Sequence, residues 1–444
     1  MSTTVKWLTD VISERHARDL GISREIEVAP RGNSSLCLHC KGGRMLCGKL
    51  NCPILSKAQA LTRYGDFLNS PDIQGSTPPG VFVGHIGYPS LYIGPMVPPF
   101  YGDTEILDTP EKWIGKSIED IINYRFSLVR GKARAHVFDT QKGNRLLENL
   151  QELSMSVKPT DSEMLLAKVP RKILSLDDQS QPFGPSALLK SFKMSNTSVD
   201  RRIEKAYYDS DLKAAEAVLR LYRDSVFVTK IQKSFSVGMF GLEKKRKIVP
   251  TRWSITAVDS IISKELIEEI KVYETIDEYR VYTFNYLDNI YVILLSPEKW
   301  RFEWIEAWFP GTTWNLEGTR TSMIGDGEGY WGRKTYPNVG GCYYSTRLAA
   351  AEKLRAERRQ ASVLALREIH KGYTLPVGVW NVRESIRATL KTSPENFDNF
   401  QSAITAAMKK MTIPIRIWVE NSWMLKEVYF QRKITDYAEK GEKT

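Results

Sequence analysis

The sequence predicts a mixed α+β protein: a cysteine-rich segment within a mixed N-terminal domain, a β-rich plus helical C-terminal domain, and a short C-terminal tail expected to be flexible. Two observations predict this. Helix-periodic segments alternate with strand-like runs until about residue 272, after which the sequence becomes rich in aromatic and β-branched residues. The 444 residues also exceed the roughly 250–300 at which single cores stop growing. We expect an N-terminal extension (1–30), an N-terminal domain (31–271), a C-terminal domain (272–428) and a tail (429–444).

The chain is basic, with 63 lysines and arginines against 52 aspartates and glutamates and a formal net charge of +11 at pH 7. A positive field favours a polyanionic partner such as DNA, because binding releases counterions from the phosphates. No apolar run approaches the roughly 20 residues of a membrane-spanning helix. The first 21 residues mix charges into every turn, unlike a signal peptide. We therefore expect a cytoplasmic protein with no membrane partner.

Four of the five cysteines lie within residues 37–54, in the stretch CLHCKGGRMLCGKLNCPI. They form a CxxC pair and a CxxxxC pair: Cys37, Cys40, Cys47 and Cys52. Two such pairs joined by a tight loop can converge on one tetrahedral zinc ion, at about 2.3 Å from each sulfur. Disulfides are the competing interpretation, although a reducing cytoplasm disfavours them, and His39 is a further candidate ligand. A closed four-thiolate site leaves no open coordination position, so we expect one structural Zn²⁺ that folds the segment.

Two groups of cations are candidates for contacts with nucleic acid. Lys41, Arg44 and Lys49 lie in or beside the loop between the cysteine pairs, where a metal knuckle could present them to phosphates. Solvated surface charges are an equally good account of them. Arg252 beside Trp253 suggests a phosphate-and-stacking pair, but a tryptophan half-packed under an arginine stem is commoner.

The elements before residue 272 follow from local signals. A helix is predicted over residues 55–68, and two strands with tight turns over 77–99, where Gly and Pro interrupt apolar runs. A helix is predicted from Pro110 to a stop at Gly131. Residues 175–187 are a polar loop with two prolines and a glycine, and residues 198–225 have the pattern of an amphipathic helical pair. A basic run at 243–247 precedes a strand-like segment and a further helix.

The elements after residue 272 begin with strands in residues 278–310. A glycine-rich loop then leads into a long helix that Gly372 is expected to stop, and residues 413–430 form a last strand-like run. Between Trp331 and Gly372 nine lysines and arginines face three glutamates, so more than half of the net charge lies near this helix. That concentration favours a nucleic-acid face there, although a solvated helix surface would explain it too.

No tight catalytic constellation is evident. Asp326 and Glu328 could hold a hard cation such as magnesium, and Glu303 with Glu306 lies just upstream, but acids between glycines are ordinary turn residues. His85, in VGHIGYP, is the one histidine in a glycine-rich setting. Whether the chain is an enzyme stays open at this stage.

The extreme C-terminus carries one polar and two apolar residues at positions i, i+3 and i+6: Gln431, Ile434 and Tyr437. At about three residues per turn they line one side, as anchors for a groove do. The pattern resembles the peptide by which replication and repair proteins bind the sliding clamp. Ala438 stands where that peptide has a second aromatic residue, which weakens the expected apolar contact.

Several long motifs occur here in one order: CLHCKGGRMLCGKLNCP, FVGHIGYPSLYIGPM, LDDQSQPFGPSA, VPTRWSITAVD, GGCYYSTRLAAAE and the terminal clamp-binding pattern. Together they resemble the archaeal Nre family of DNA repair proteins over nearly the whole chain. The resemblance implies a zinc-finger-bearing N-terminal domain, a distinct C-terminal domain, an archaeal cytoplasm, and DNA damage repair through the sliding clamp PCNA. It carries the zinc ligands and the clamp anchors onto the residues named above.

Two functions therefore compete. The first is a clamp-recruited repair factor whose basic surface binds DNA. The second is an enzyme acting on DNA or on a nucleotide, a nuclease or a nucleotide-dependent transferase, with a site built from the glycine-rich loops and from Asp326, Glu328, His85 or Arg252. Convergence of the loops at 80–95, 175–187 and 325–341 would favour the second.

Overall fold

The computed structural model describes residues 69–170, 184–315 and 318–430. Predicted functional residues outside these ranges are the four zinc-ligand cysteines, the cations Lys41, Arg44 and Lys49, and the clamp anchors Gln431, Ile434 and Tyr437. Their assignments stay predictions. Within the described ranges two six-stranded sheets combine with eleven α-helices, so the predicted mixed α+β class is confirmed.

The first sheet has the strand order β1-β5-β6-β4-β3-β2. Its strands are β1 (Asp72–Thr77), β2 (Val81–Val83), β3 (Ser90–Val97), β4 (Val129–His136), β5 (Thr160–Leu166) and β6 (Ser186–Met194). Neighbours are antiparallel except β4 and β6, which run parallel. The two strands predicted within residues 77–99 are confirmed as β2 and β3.

Six α-helices of the described ranges follow strands of this sheet along the chain. They are α1 (Ile118–Phe126), α2 (Arg145–Met155), α3 (Arg201–Tyr208), α4 (Ala214–Arg223), α5 (Val228–Ser236) and α6 (Thr251–Ile270). The helical pair predicted within residues 198–225 is confirmed as α3 and α4. Polar side chains begin several helices: Ser117 and Asp120 form a capping box at α1, and Asn144 and Asp200 accept backbone N–H groups at α2 and α3.

The second sheet has the order β10-β9-β11-β8-β7-β12, with β11 parallel to β9 and the other pairs antiparallel. Its strands are β7 (Tyr279–Tyr286), β8 (Asn289–Ser296), β9 (Arg301–Trp308), β10 (Ser322–Glu328), β11 (Ser362–Ile369) and β12 (Glu395–Phe397). The helices here are α7 (Gly341–Glu357), α8 (Val379–Lys391), α9 (Phe400–Lys409), α10 (Ile415–Asn421) and α11 (Trp423–Phe430).

One apolar core joins the inner faces of both sheets through α6, α7 and α8, and it crosses residue 271 without interruption. The helices α6 and α7 run parallel, since Arg347 reaches Ser263 and Arg355 reaches Glu269. A second apolar cluster packs the other face of the second sheet against α9, α10 and α11. Among the described helices, none combines the length and the apolarity needed to cross a bilayer.

The predicted helix from Pro110 to Gly131 is wrong at its C-terminal end. The α-helix covers only Ile118–Phe126, and Gly131 lies within β4. A Cβ at Gly131 would lie 2.7 Å from the Met164 sulfur and 2.8 Å from a methyl carbon of Leu189. This glycine therefore serves close packing between strands and does not stop a helix.

Two predictions for the C-terminal half are also wrong. The helix expected to reach Gly372 ends at Glu357, where Arg358 adopts a left-handed conformation with φ of 53°. Residues Ser362–Ile369 form β11, and all eight are buried because both faces of this central strand are covered. The strand-like run at 413–430 forms α10 and α11, and the predicted strand before α6 is absent from the described residues, where Pro250 leads directly into the helix.

Candidate nucleic-acid interface

The outward face of β4 presents cations at every second residue. In the stretch VRGKARAH, Val129 and Ala135 point into the core, whereas Arg130, Lys132 and Arg134 point to the other side of the sheet. We call these three cations the β4 row. The row places three positive charges on one strand face at intervals of roughly 6.6 Å, twice the rise per residue.

Two cations of the row lie over aromatic rings of β3 and β2. The Arg134 guanidinium lies 4.6 Å from the centre of the Tyr92 ring, and Arg130 lies 4.7 Å from the centre of the Phe82 ring. Beyond the end of β4, the Lys247 ammonium lies 4.8 Å from the Phe138 ring. Three cation–ring pairs therefore follow the direction of β4.

The two ends of the row differ in burial. The Arg130 end lies beside a small apolar cluster that includes Phe82. Burial, followed by the charge of Arg125, lowers the pKa of Arg130 to about 10. Burial and then the charge of Arg130 lower the pKa of Lys132, whereas Arg134 is exposed. Arg130 thus raises the energy of the charged form of Lys132, and a nearby phosphate group would lower it.

Carboxylates lie at the opposite edge of the same sheet. Asp72 on β1 and Glu163 on β5 are exposed, and their strands are separated from β4 by β6. Neither Lys132 nor Arg134 forms an ion pair with an acid of the described residues. On β6, which lies between these strands and β4, the exposed Lys193 is the register partner of Glu163.

The hairpin between β2 and β3 contacts the first turn of α6. The backbone N–H of Val83 donates to the Thr251 hydroxyl at 3.0 Å, and the Tyr88 and Trp253 rings lie 5.2 Å apart. Of the predicted pair of Arg252 and Trp253, Trp253 packs on Tyr88, and Arg252 is exposed on the same turn.

The glycine-rich loops converge in part. The loop 325–341 also reaches α6, since a Cβ at Gly341 would lie 3.6 Å from the Thr256 hydroxyl. Burial raises the pKa of Tyr336 to about 12 against an opposing hydrogen bond with the same Thr256. Of the loop 175–187 only residues 184–187 are described, and there the Pro185 carbonyl accepts from the Arg130 N–H at 2.8 Å. Two loops thus meet at α6, and the third ends beside the β4 row.

The candidate catalytic acids of the second sheet are held in structural contacts. Asp326 pairs with Arg333 at 2.6 Å and accepts from the Asn338 N–H at 2.8 Å. Glu328 is buried and pairs with Arg347 at 2.8 Å. Within the described ranges there is no cluster of three or more His, Cys, Asp or Glu side chains suited to a metal ion.

Glu303 and Glu306 have structural partners as well. Glu303 accepts from the Ser422 hydroxyl and from two backbone N–H groups at the start of α11. Glu306 pairs with Arg367 at 2.9 Å. These carboxylates compensate buried donors and cations, as groups inside a sheet must.

The charge concentration between Trp331 and Gly372 is not one basic face. Six of its nine cations form ion pairs with carboxylates: Arg333, Arg347, Lys353, Arg355, Arg359 and Arg367. Two of them, Arg347 and Arg367, are buried. The segment therefore does not present its nine cations as one unpaired basic surface, and the nucleic-acid face predicted there stays a prediction.

Sequence reasoning missed the β4 row because the predicted helix runs from Pro110 to Gly131 and so places Arg130 in a helix. The available signal was the alternation of cations with Gly and Ala in RGKARA, which has the period of a half-exposed strand.

His85 lies partly buried in the hairpin turn. Cys342 lies in the first turn of α7, where burial holds the pKa of its thiol well above the ordinary value.

Comparison with known proteins identifies relatives over most of the chain. The family model described as "Archaeal Nre, N-terminal" matches residues 46–315, and the model described as "Archaeal Nre, C-terminal" matches residues 328–437. No solved structure matches the chain significantly.

Three curated relatives are named as DNA repair proteins. DNA repair protein NreB of Archaeoglobus fulgidus is 44% identical over 394 residues, which cover 88% of this chain and 97% of the relative. DNA repair protein NreA of the same organism is 39% identical over 84% of this chain and 93% of its own length. DNA repair protein NreA of Haloferax volcanii is 33% identical over 77% of this chain and 84% of its own length. On the two family models and these identities, the chain belongs to the archaeal Nre family.

Proposed function

We propose that this protein is a DNA repair factor that binds DNA through the β4 row and is recruited to its sites of action by the sliding clamp PCNA. The observation that carries the proposal is the β4 row itself, in a chain whose relatives are named DNA repair proteins. Lys132 and Arg134 form no ion pair with an acid of the described residues, and such cations can contact phosphates. Arg252, exposed on α6 beside the β2–β3 hairpin, extends this basic surface.

The clamp contact is assigned to Gln431, Ile434 and Tyr437, directly after α11 ends at Phe430. The spacing of these three residues supports the assignment, because one polar and two apolar anchors at i, i+3 and i+6 can line one side of a peptide that enters a groove. Ala438 limits the apolar area of the contact, so we expect weaker binding than a two-aromatic peptide would give.

The test measures DNA and clamp binding on the full-length protein. We expect the double variant Lys132→Gln, Arg134→Gln to bind labelled DNA roughly tenfold more weakly in fluorescence anisotropy, because two phosphate contacts are lost. The matched control is Lys391→Gln, Lys409→Gln, which removes two exposed cations from the other sheet's helices. Equal loss in both double variants would reject the β4 row as the DNA site.

Clamp binding is measured with the same preparations. Tyr437→Ala should abolish binding to the protein's own sliding clamp and leave DNA affinity unchanged. Tyr429→Ala, which changes an exposed ring on α11 outside the motif, is its control. Persistent clamp binding by the Tyr437 variant would refute the clamp assignment.

We also propose that Cys37, Cys40, Cys47 and Cys52 hold one structural zinc ion. Thiolates at these spacings suit tetrahedral zinc, and binding would supply folding free energy to the segment. Cys37→Ser should lower both the zinc content, measured by atomic absorption, and the thermal stability. Cys342→Ser is the matched control and should leave zinc content unchanged, since Cys342 lies in α7. Full zinc content in the Cys37 variant would refute the site.

The alternative function, an enzyme acting on DNA or on a nucleotide, has less support. Two glycine-rich loops do meet at α6, but Asp326 and Glu328, which would supply its acid, base or metal ligands, are engaged with Arg333 and Arg347. We therefore do not propose a reaction for these loops.

A further inference from the structure

The most exposed cation–ring pair of the β4 row is Arg134 with Tyr92. Arg134 donates to the Ser90 carbonyl at 2.9 Å, and this bond holds the guanidinium 4.6 Å from the ring centre. Tyr92 is only partly buried and belongs to neither of the two main apolar cores, whereas Leu91 and Ile93 on either side of it are core residues. The ring therefore lies on the sheet surface and has a fixed cation beside it.

Other groups continue this surface along the strand. Lys132 lies two residues before Arg134 on the same face, and the pair of Lys247 and Phe138 lies beyond the strand end. Phe138 is 39% exposed, so its ring is also accessible. Four residues of strand span roughly 13 Å, so the surface from Lys132 to the strand end at His136 is long enough for a base and its flanking phosphates.

Charge complementarity selects the occupant. The cations face outward beside aromatic rings, and neither Lys132 nor Arg134 pairs with a carboxylate of the described residues. A duplex could use the cations but not the rings, because its bases are already stacked on one another. An unpaired strand can use both, since each base offers a face to an aromatic ring and each phosphate a charge to a cation.

We propose that the outward face of β3 and β4 binds single-stranded DNA, with a base stacked on Tyr92 and its flanking phosphates contacting Lys132 and Arg134. The inference deepens the proposed DNA-binding function and rests on it. It gives that function a substrate class, the unpaired strand that damage, resection or branching exposes. The geometry assigns Tyr92 to base stacking and the β4 row to the backbone.

The experiment compares three labelled probes on the full-length protein: a 20-nucleotide oligothymidine, a blunt duplex of equal length and an oligouridine. Wild type should bind the single DNA strand more tightly than the duplex. Tyr92→Leu should weaken single-strand binding about 5- to 150-fold, the range of one lost stacking contact, and leave duplex binding unchanged. Tyr92→Phe keeps the ring and should retain the affinity. Tyr208→Leu removes a ring that is 74% exposed on α3, outside the row, and should have no effect.

Each other outcome has a distinct meaning. If Tyr92→Leu weakens single-strand and duplex binding equally, or if it weakens neither of them, the stacking role of Tyr92 is overturned. The proposed DNA-binding function survives both outcomes. If wild type binds no DNA probe, the proposed function itself fails. Tighter binding of the oligouridine would overturn DNA as the occupant. Loss of affinity in Tyr92→Phe together with a lowered melting temperature would show that the residue supports the fold and would overturn the stacking role.

Discussion

The two sheets use the same residue types in opposite ways. In the first sheet, Arg134 on β4 lies on an outward face and is exposed. In the second sheet, Arg367 on β11 is 2% exposed, pairs with Glu306 at 2.9 Å and lies among the rings of Tyr291, Trp308 and Tyr373. An arginine on a central strand is therefore exposed at the surface of one sheet and buried in an ion pair in the other.

The cause of the difference is how many faces each sheet buries. Alternate residues of β8, β9 and β11 enter two different apolar clusters, one on each side of the second sheet. A charged side chain there has no water on either side and needs a partner of opposite charge. The first sheet leaves its other face open around Lys132 and Arg134, so the cations there need no buried counter-charge. The number of covered faces decides whether a cation on a strand must be paired.

The largest effect that this comparison predicts is on stability. Arg367→Met would leave Glu306 and Asn289 without their buried donor and should lower the free energy of unfolding by about 3–5 kcal/mol. Arg134→Met, on the exposed face, should change it by less than about 0.5 kcal/mol. Urea unfolding followed by tryptophan fluorescence compares the two variants under one set of conditions.

A double variant isolates the ion pair from simple loss of packing. Glu306→Leu with Arg367→Met removes both charges and should recover much of the loss, because paired replacement leaves no uncompensated group. If Arg367→Met and Arg134→Met have the same free energy of unfolding, the second sheet does not depend on its internal ion pairs. The proposed difference between the two sheets would then be wrong.

The sequence alone predicts correctly those secondary-structure elements whose residue pattern has a single interpretation. The hairpin of β2 and β3, the helical pair α3 and α4, and the strands of residues 278–310 follow from turn residues and periodicity, because local propensity and burial agree there. The family resemblance was confirmed as well. These features depend on residues near one another in the chain.

Other features depend on distant contacts that local patterns do not contain. SVLALREI looks like the end of a helix until β8 and β9 are known to flank it, and the run at 413–430 becomes helical where the buried Glu303 accepts N–H groups at the start of α11. The alternation of cations in RGKARA is visible in the sequence and has the period of a strand. The helix predicted up to Gly131 nevertheless includes the first of these cations, Arg130. Cations between 331 and 372 could not be sorted into paired and exposed groups without their tertiary partners.

A smaller effect tests the same comparison through pH. Glu368, at the end of β11, is fully buried and accepts from the N–H groups of Thr412 and Ile413 at 3.0 and 2.8 Å. Burial acts to raise its pKa, but the hydrogen bonds from His370, Thr412 and Ile413 outweigh it and hold the pKa below the ordinary 4.5. Because the folded state lowers this pKa, the carboxylate contributes stability above pH 4.5 that is lost as the pH falls through the folded value.

Glu368→Gln should therefore cost about 1.5–3 kcal/mol at pH 7, the range for hydrogen bonds to a charged group, and the difference from wild type should shrink below pH 4.5. Glu163→Gln, an exposed position on β5 of the first sheet, should differ from wild type by less than about 0.5 kcal/mol at pH 7. Urea midpoints measured between pH 7 and pH 3 give both curves. A Glu368→Gln deficit that stays constant down to pH 3 would mean that shape and packing, not the buried charge, hold β11 to the segment before α10, and the contrast between the sheets would then lie in apolar contacts alone.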